Sequence, residues 1–162
     1  MMLVPNLIET IMKKYLIIAG LSVIAIVNAA YLSYKAYIFR YINPIDATSF
    51  CDISKTASCT DVLRDPLSNV FGIPFPWIAL VVYPILLALA IYGYRKASFK
   101  QAKIIAVLAA GGICFNGFII YREVMYIHVY CLLCLMCSAI IISNFVLALQ
   151  MINEEKRPDP VE

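Results

Sequence analysis

Four stretches of this chain carry no Asp, Glu, Lys or Arg: Tyr15–Tyr34, Phe75–Tyr94, Ile104–Tyr121 and Val129–Leu149. Each is roughly 18–21 residues long, close to the ~20 that a helix needs to cross a hydrocarbon core. A bilayer offers no water to unpaired amides, so runs of this length and composition are expected to fold as helices. The sequence therefore predicts an all-α membrane protein: a four-transmembrane-helix bundle with helices at about 15–37, 75–94, 104–127 and 129–151. Residues 38–74 form a long loop between the first two helices, and 1–162 make a single integral membrane domain. A hydrophobic share of 63% against 14% charged residues excludes an ordinary soluble domain, in which about a quarter of the residues are charged.

The first run has a rival reading as a secretory signal, because Lys13 and Lys14 precede an apolar core and Val27-Asn28-Ala29 faintly resembles a cleavage site. The apolar stretch continues past that point, which favours a membrane helix. The net charge of +3 is small and dispersed and gives no basis for nucleic-acid binding. Lys and Arg set the expected orientation. With the N-terminus inside, Lys13, Lys14, Arg95, Lys96, Lys100, Lys103, Lys156 and Arg157 lie in the cytoplasm, against Arg40, Lys55, Arg64, Arg122 and Lys35 at the other side. Both termini are thus expected in the cytoplasm of a multi-pass plasma (cell inner) membrane, with the 38–74 loop on the extracytoplasmic side.

That orientation puts four of the six cysteines on or near an oxidising compartment, where disulfides persist. Cys51 and Cys59 sit in the loop, and Cys131 and Cys134 at the outer end of the fourth helix. In Cys131-Leu132-Leu133-Cys134 the cysteines share one helix face, with Cβ atoms ~5–6 Å apart, and a modest distortion of a first turn brings them to disulfide distance. A helix N-terminus also favours thiolate, the reactive form. Cys134-Leu135-Met136-Cys137 repeats the spacing, but Cys137 lies ~9 Å deeper than Cys131, out of easy reach of a polar loop. Cys131 and Cys134 are expected to be the redox pair; Cys137 and Cys114 are read as buried packing or cavity lining.

In the loop, Ser58 followed by Asp61 and Val62-Leu63 has the form of a capping box opening a short helix. Cys59 then takes its first position, Pro66 ends it, and Phe71, Ile73, Phe75 and Trp77 lead the chain back into the membrane, so the segment is expected to lie on the surface like a lid. Cys51, in the more polar arm, is expected to be the better exposed thiol. The loop pair is either a permanent staple or a second redox pair able to exchange with the first. A zinc site built from four cysteines is a further reading, with an unusual ligand spacing. His128, three residues before Cys131, either moves a proton near the exchange site or is simply interfacial.

The order of these features resembles the vitamin K epoxide reductase family. The residues that carry the likeness are Cys51-Asp52, Cys59-Thr60-Asp61-Val62-Leu63, Phe71-Gly72-Ile73-Pro74, Cys131-Leu132-Leu133-Cys134 and Tyr31-Leu32-Ser33-Tyr34-Lys35, over roughly residues 15–150. It is similar to a microbial member without a fused thioredoxin-like domain. The resemblance implies that Cys51 accepts electrons from a separate thioredoxin-like carrier and that Cys59 passes them to Cys131. Cys134 then faces a membrane quinone (ubiquinone, menaquinone or related). The family often has a serine where this chain has Asp65. Phe75 and Ser138 stand where vertebrate enzymes place a quinone-binding asparagine and tyrosine, which points to a respiratory quinone held mainly by apolar contacts. Phe75, Trp77, Phe115, Tyr130 and Ser138 are the expected quinone-binding positions, although aromatics at membrane ends are also common interfacial anchors.

The implied function is a thiol:quinone oxidoreductase supporting disulfide formation outside the cytoplasm. The alternatives are a tetraspan scaffold with a structural loop disulfide, and the unrelated four-helix periplasmic thiol oxidase type, which places its C-x-x-C in the first external loop.

Overall fold

The structure, a computed structural model, describes residues 3–42, 49–54, 56–65, 69–70 and 72–156. Among these residues four helices are long and apolar enough to cross a membrane. In chain order the elements are α1 (Leu3–Tyr41), α2 (Cys59–Arg64), β1 (Asn69–Val70), β2 (Ile73–Pro74), α3 (Phe75–Lys96) and α4 (Phe99–Arg122). A π-helix (Glu123–Ile127) and α5 (Leu132–Lys156) complete the chain.

At 39 residues, α1 extends well beyond its charge-free run. Near its start it carries a Glu9–Lys13 ion pair at 2.7 Å, and in its last turns Tyr37 and Tyr41, whose rings are 5.1 Å apart. Both pairs have the i,i+4 spacing that stacks side chains on one helix face. α1 packs chiefly on α3 and α5, and α4 on α5 and α3. The seam between them is rich in small side chains, among them Ala25, Ala29, Ala90, Ala102, Ala106, Ala109 and Ala148, all buried. Small residues let backbones approach closely where lipid supplies no hydrophobic drive. Val27, Val81, Val107 and Phe118 point outward.

One end of the bundle is charged and polar. Lys14 pairs with Glu154 at 2.6 Å and Lys103 with Glu155 at 2.8 Å. The α3–α4 connector turns through Ala97 in the left-handed region (φ 44°), and Ser98 caps α4 by accepting from the Lys100 amide. Tyr15, fully buried, donates to the Ser98 carbonyl at 2.6 Å and packs against Gly93, where a Cβ would stand 2.5 Å from the ring.

The other end carries the α1–α3 loop, the π-helix and the start of α5. Ser58 caps α2 as the sequence predicts: its hydroxyl accepts from the Asp61 amide, so Cys59 opens the helix. Asp65 is the C-cap; the Pro66 stop, Phe71 and the basic residues Lys55 and Arg157 lie outside the described residues. A two-residue antiparallel ribbon pairs Asn69 with Pro74 and Val70 with Ile73, turning at Gly72 (φ 80°). Arg40 at the end of α1 donates to Asn69 Oδ1 and the Gly72 carbonyl at 3.4 and 3.3 Å.

Candidate active site

Cys51 and Cys59 are joined in a disulfide, with Cα atoms 5.8 Å apart. Asp52, next to Cys51, fixes this pair on α2. Its Oδ1 accepts from the Thr60 amide (3.0 Å) and the Ser58 hydroxyl (3.1 Å), its Oδ2 from the Thr60 hydroxyl (2.6 Å) and the Ser49 amide (2.8 Å). Burial pushes the Asp52 carboxyl up, but the bonds from Thr60, Ser49 and Ser58 outweigh it and hold the group below the ordinary carboxylate range.

The lid docks on the segment before α5. The Tyr130 amide donates to the Thr56 carbonyl at 3.0 Å, and Ala57 bridges to Tyr130 in parallel register. Tyr31 on α1 packs on Phe50 with ring centroids 4.9 Å apart, and Arg64 lies 5.1 Å over the Phe39 ring. These contacts set Cys131 Sγ 3.0 Å from Cys59 Sγ. Cys131 and Cys134 are free thiols, both buried. The Cys131 carbonyl accepts from the amides of Cys134 and Leu135, so Cys131 stands at the N-cap of α5 rather than inside a helix begun at 129, and Cys134 is in the first turn.

Cys134 also borders an apolar cavity between the helices. Leu32, Phe75, Pro76, Val82, Phe115 and Ile141 line it, with Cys137 and two polar side chains, Tyr83 and Asn116. Tyr83 donates to the Cys137 carbonyl at 3.0 Å, and Asn28 to Cys137 Sγ at 3.0 Å. Of the five expected quinone positions, Phe75 and Phe115 are on this wall. Trp77 and Tyr130 are exposed on the surface, and Ser138 turns its hydroxyl back to the Cys134 carbonyl.

Two expectations are corrected. Cys51 is only 1% exposed, as sealed as Cys59, because the lid folds both sulfurs into a cluster with Leu32, Val62, Phe75 and Cys131. Cys114 faces outward from α4 rather than into the core, the helix being apolar on all sides. His128 ends the π-helix in the left-handed region (φ 58°) with its side chain exposed. The ionisable group beside the dithiol is instead Glu123, 1% exposed, whose Oε2 accepts from the Cys131 amide at 3.3 Å. Sequence reasoning missed it. The available signal was an acid at the end of an apolar run, since ionisable residues within membrane segments are rare and usually functional.

The loop disulfide thus meets a free thiol at the start of α5, over an apolar cavity. The model of the vitamin K epoxide reductase family matches residues 16–149, most of the chain. The chain belongs to the vitamin K epoxide reductase family. No curated protein matches it. Membership supports an oxidoreductase, and the family as a whole is quinone-linked.

Proposed function

We propose that this vitamin K epoxide reductase family protein is a thiol:quinone oxidoreductase. It takes electrons from a thioredoxin-like carrier through Cys51–Cys59 to Cys131–Cys134 and on to a membrane quinone. The observation that carries the reading is the 3.0 Å approach of Cys131 Sγ to Cys59 Sγ, with Cys134 on the wall of an apolar cavity.

In the forward direction the carrier's dithiol reduces the Cys51–Cys59 bond. Cys59 thiolate attacks Cys131 in the Cys131–Cys134 disulfide, and Cys134 leaves as thiolate. Cys51 then attacks Cys59 and releases Cys131. The outcome is a loop disulfide and a helix dithiol, the pairing present here. The residues fit a quinone: Phe75, Phe115 and Val82 offer flat apolar contact, and the Asn116 amide is a donor on an otherwise donor-poor wall. The quinone, when bound, supplies the two-electron oxidising capacity; the protein supplies position. The charge distribution of the termini and of the α3–α4 connector supports a cytoplasmic location for that end, and extracytoplasmic exchange at the other.

The test is anaerobic reduction of a short-chain ubiquinone or menaquinone analogue by a reduced thioredoxin-like protein. Wild type is expected to turn over and Cys134→Ala to be inactive. Equal rates in the two proteins would favour a tetraspan scaffold with a structural loop disulfide.

A further inference from the structure

Oxidising a dithiol removes two electrons and two protons, and the electron path above leaves the protons unassigned. Cys134 is sealed from water, yet its sulfur must become a thiolate to react. Only a neighbouring base can take that proton inside the bundle.

Glu123 is the candidate by position. It begins the π-helix, where its amide is shared between the Ile119 and Ile120 carbonyls. Such widened turns recur at functional sites. One carboxyl oxygen is tied to the Cys131 amide, the other has no hydrogen-bond partner among the described residues, and the Cys134 side chain stands next to the same carboxyl. No Lys or Arg among the described residues forms an ion pair with it. Its neighbour Arg122 lies 5.5 Å over the Phe118 ring, and His128 is exposed. A purely structural carboxyl buried this deeply would be expected to have both oxygens satisfied.

We propose that Glu123 is the proton carrier of the Cys131–Cys134 pair, an inference that rests on the function proposed above. When Cys59 attacks Cys131, Cys134 leaves as thiolate and Glu123, as acid, protonates it. When the dithiol is oxidised, Glu123 as carboxylate takes the Cys134 proton back. The Cys131–Cys134 bond then forms as Cys131 gives up its own proton, and two electrons pass to the quinone. Both protons end on the hydroquinone oxygens: Glu123 hands on the one it held and regains a proton released by the Cys51 and Cys59 thiols as the loop disulfide re-forms, so it begins the next turnover as the acid. One group thus serves as acid and as base in alternate half-reactions.

The experiment uses the full chain with Cys114 and Cys137 changed to Ala and Cys131 to Ser, so that Cys134 is the single free thiol. Its modification by methyl methanethiosulfonate at neutral pH is followed by intact mass. Glu123→Gln keeps the shape and the Cys131 amide bond but cannot take a proton, and is expected to slow modification by about 100-fold. Glu123→Asp should retain most of the rate, and formate should restore it to Glu123→Ala. Undiminished modification in Glu123→Gln overturns the proposal. So does a slow Glu123→Ala that formate leaves slow, which would assign the residue to packing. In the otherwise native chain, quinone reduction should fall in parallel in Glu123→Gln. Because Cys134 modification needs no quinone, a wild-type protein inactive toward quinones would sink the proposed function and leave this test intact.

Discussion

Thr60 meets Asp52 twice, its amide at Oδ1 (3.0 Å) and its hydroxyl at Oδ2 (2.6 Å). The first turn of α2 is thereby locked to the residue beside Cys51, and the two loop sulfurs cannot move independently. Because its carboxyl is held below the ordinary range, Asp52 stabilises the lid fully above the unfolded value of 3.8, and this is lost as pH falls through the lowered folded value. Amide protection factors in residues 49–54 and 56–61 should therefore be unchanged between neutral pH and about pH 5 and fall steeply below the unfolded value of 3.8. Asp52→Asn, which cannot titrate, should show weaker protection at neutral pH and no such fall. Identical acid profiles for the two proteins would remove the carboxylate from this role.

The sulfur approach predicts a trappable intermediate. With Cys51 and Cys134 both changed to Ala, neither end of the relay can resolve, and mild oxidation should join Cys59 to Cys131. Peptide mass spectrometry under non-reducing conditions should find that crosslink in most molecules. Its absence, with both thiols still alkylable, would show that the 3.0 Å approach is not used.

Carrier transfer and quinone reduction should separate at Cys51. Cys51→Ala is expected to lose turnover with a protein dithiol while Cys131 and Cys134 still pass electrons from a small dithiol to quinone. Because Cys51 is buried in the closed lid, the wild-type reaction with carrier should also be slower than exchange at an exposed disulfide. Loss of both activities in Cys51→Ala would mean that the loop pair supports the bundle rather than feeding it.

The features legible in the sequence are those decided locally. Charge-free runs fix the four membrane helices because a bilayer excludes charge, and Ser58 with Asp61 announces the α2 cap because both partners lie within one turn. The C-x-x-C is legible for the same reason, Cys131 and Cys134 standing within the N-cap and first turn of α5. What escaped is set by packing between distant segments. Cys51 is buried by a lid whose docking depends on Thr56 and Ala57 meeting Tyr130. Cys114 and Cys137 have equally apolar neighbours, so no periodicity tells the outward one from the one on the cavity wall. Glu123 acquires its place from the widened turn that closes α4, which no residue in Glu123–Ile127 announces.

Gly93 tests the far end of the bundle independently of the chemistry. A Cβ there would press on the Tyr15 ring, which is fully buried and held by its bond to Ser98. Gly93→Ala should cost about 1–3 kcal/mol, the usual penalty for overpacking, and lower the thermal midpoint. The folded protein should keep its quinone KM. Pairing it with Tyr15→Leu should restore part of the loss. A variant as stable as wild type would show that α1 and α3 can separate there at no cost.

The cavity wall makes the last prediction, because it divides aromatics that the sequence could not rank. Phe75 and Phe115 border the space beside Cys134, whereas Trp77, two residues beyond Phe75, is turned to the surface. If the quinone ring lies against the first two, truncating either to Ala removes contact made in the bound state. The expected effect is a rise of about ten-fold in quinone KM, equivalent to ~1.4 kcal/mol of binding. Trp77→Ala should leave KM near the wild-type value. Carrier transfer to Cys131–Cys134 should be retained in Phe115→Ala, since Phe115 lies on α4 and contributes nothing to the lid hydrogen bonds. A KM that responds to Trp77 and ignores Phe75 and Phe115 would move the quinone to the outer face of α3 and take Cys134 out of its reach.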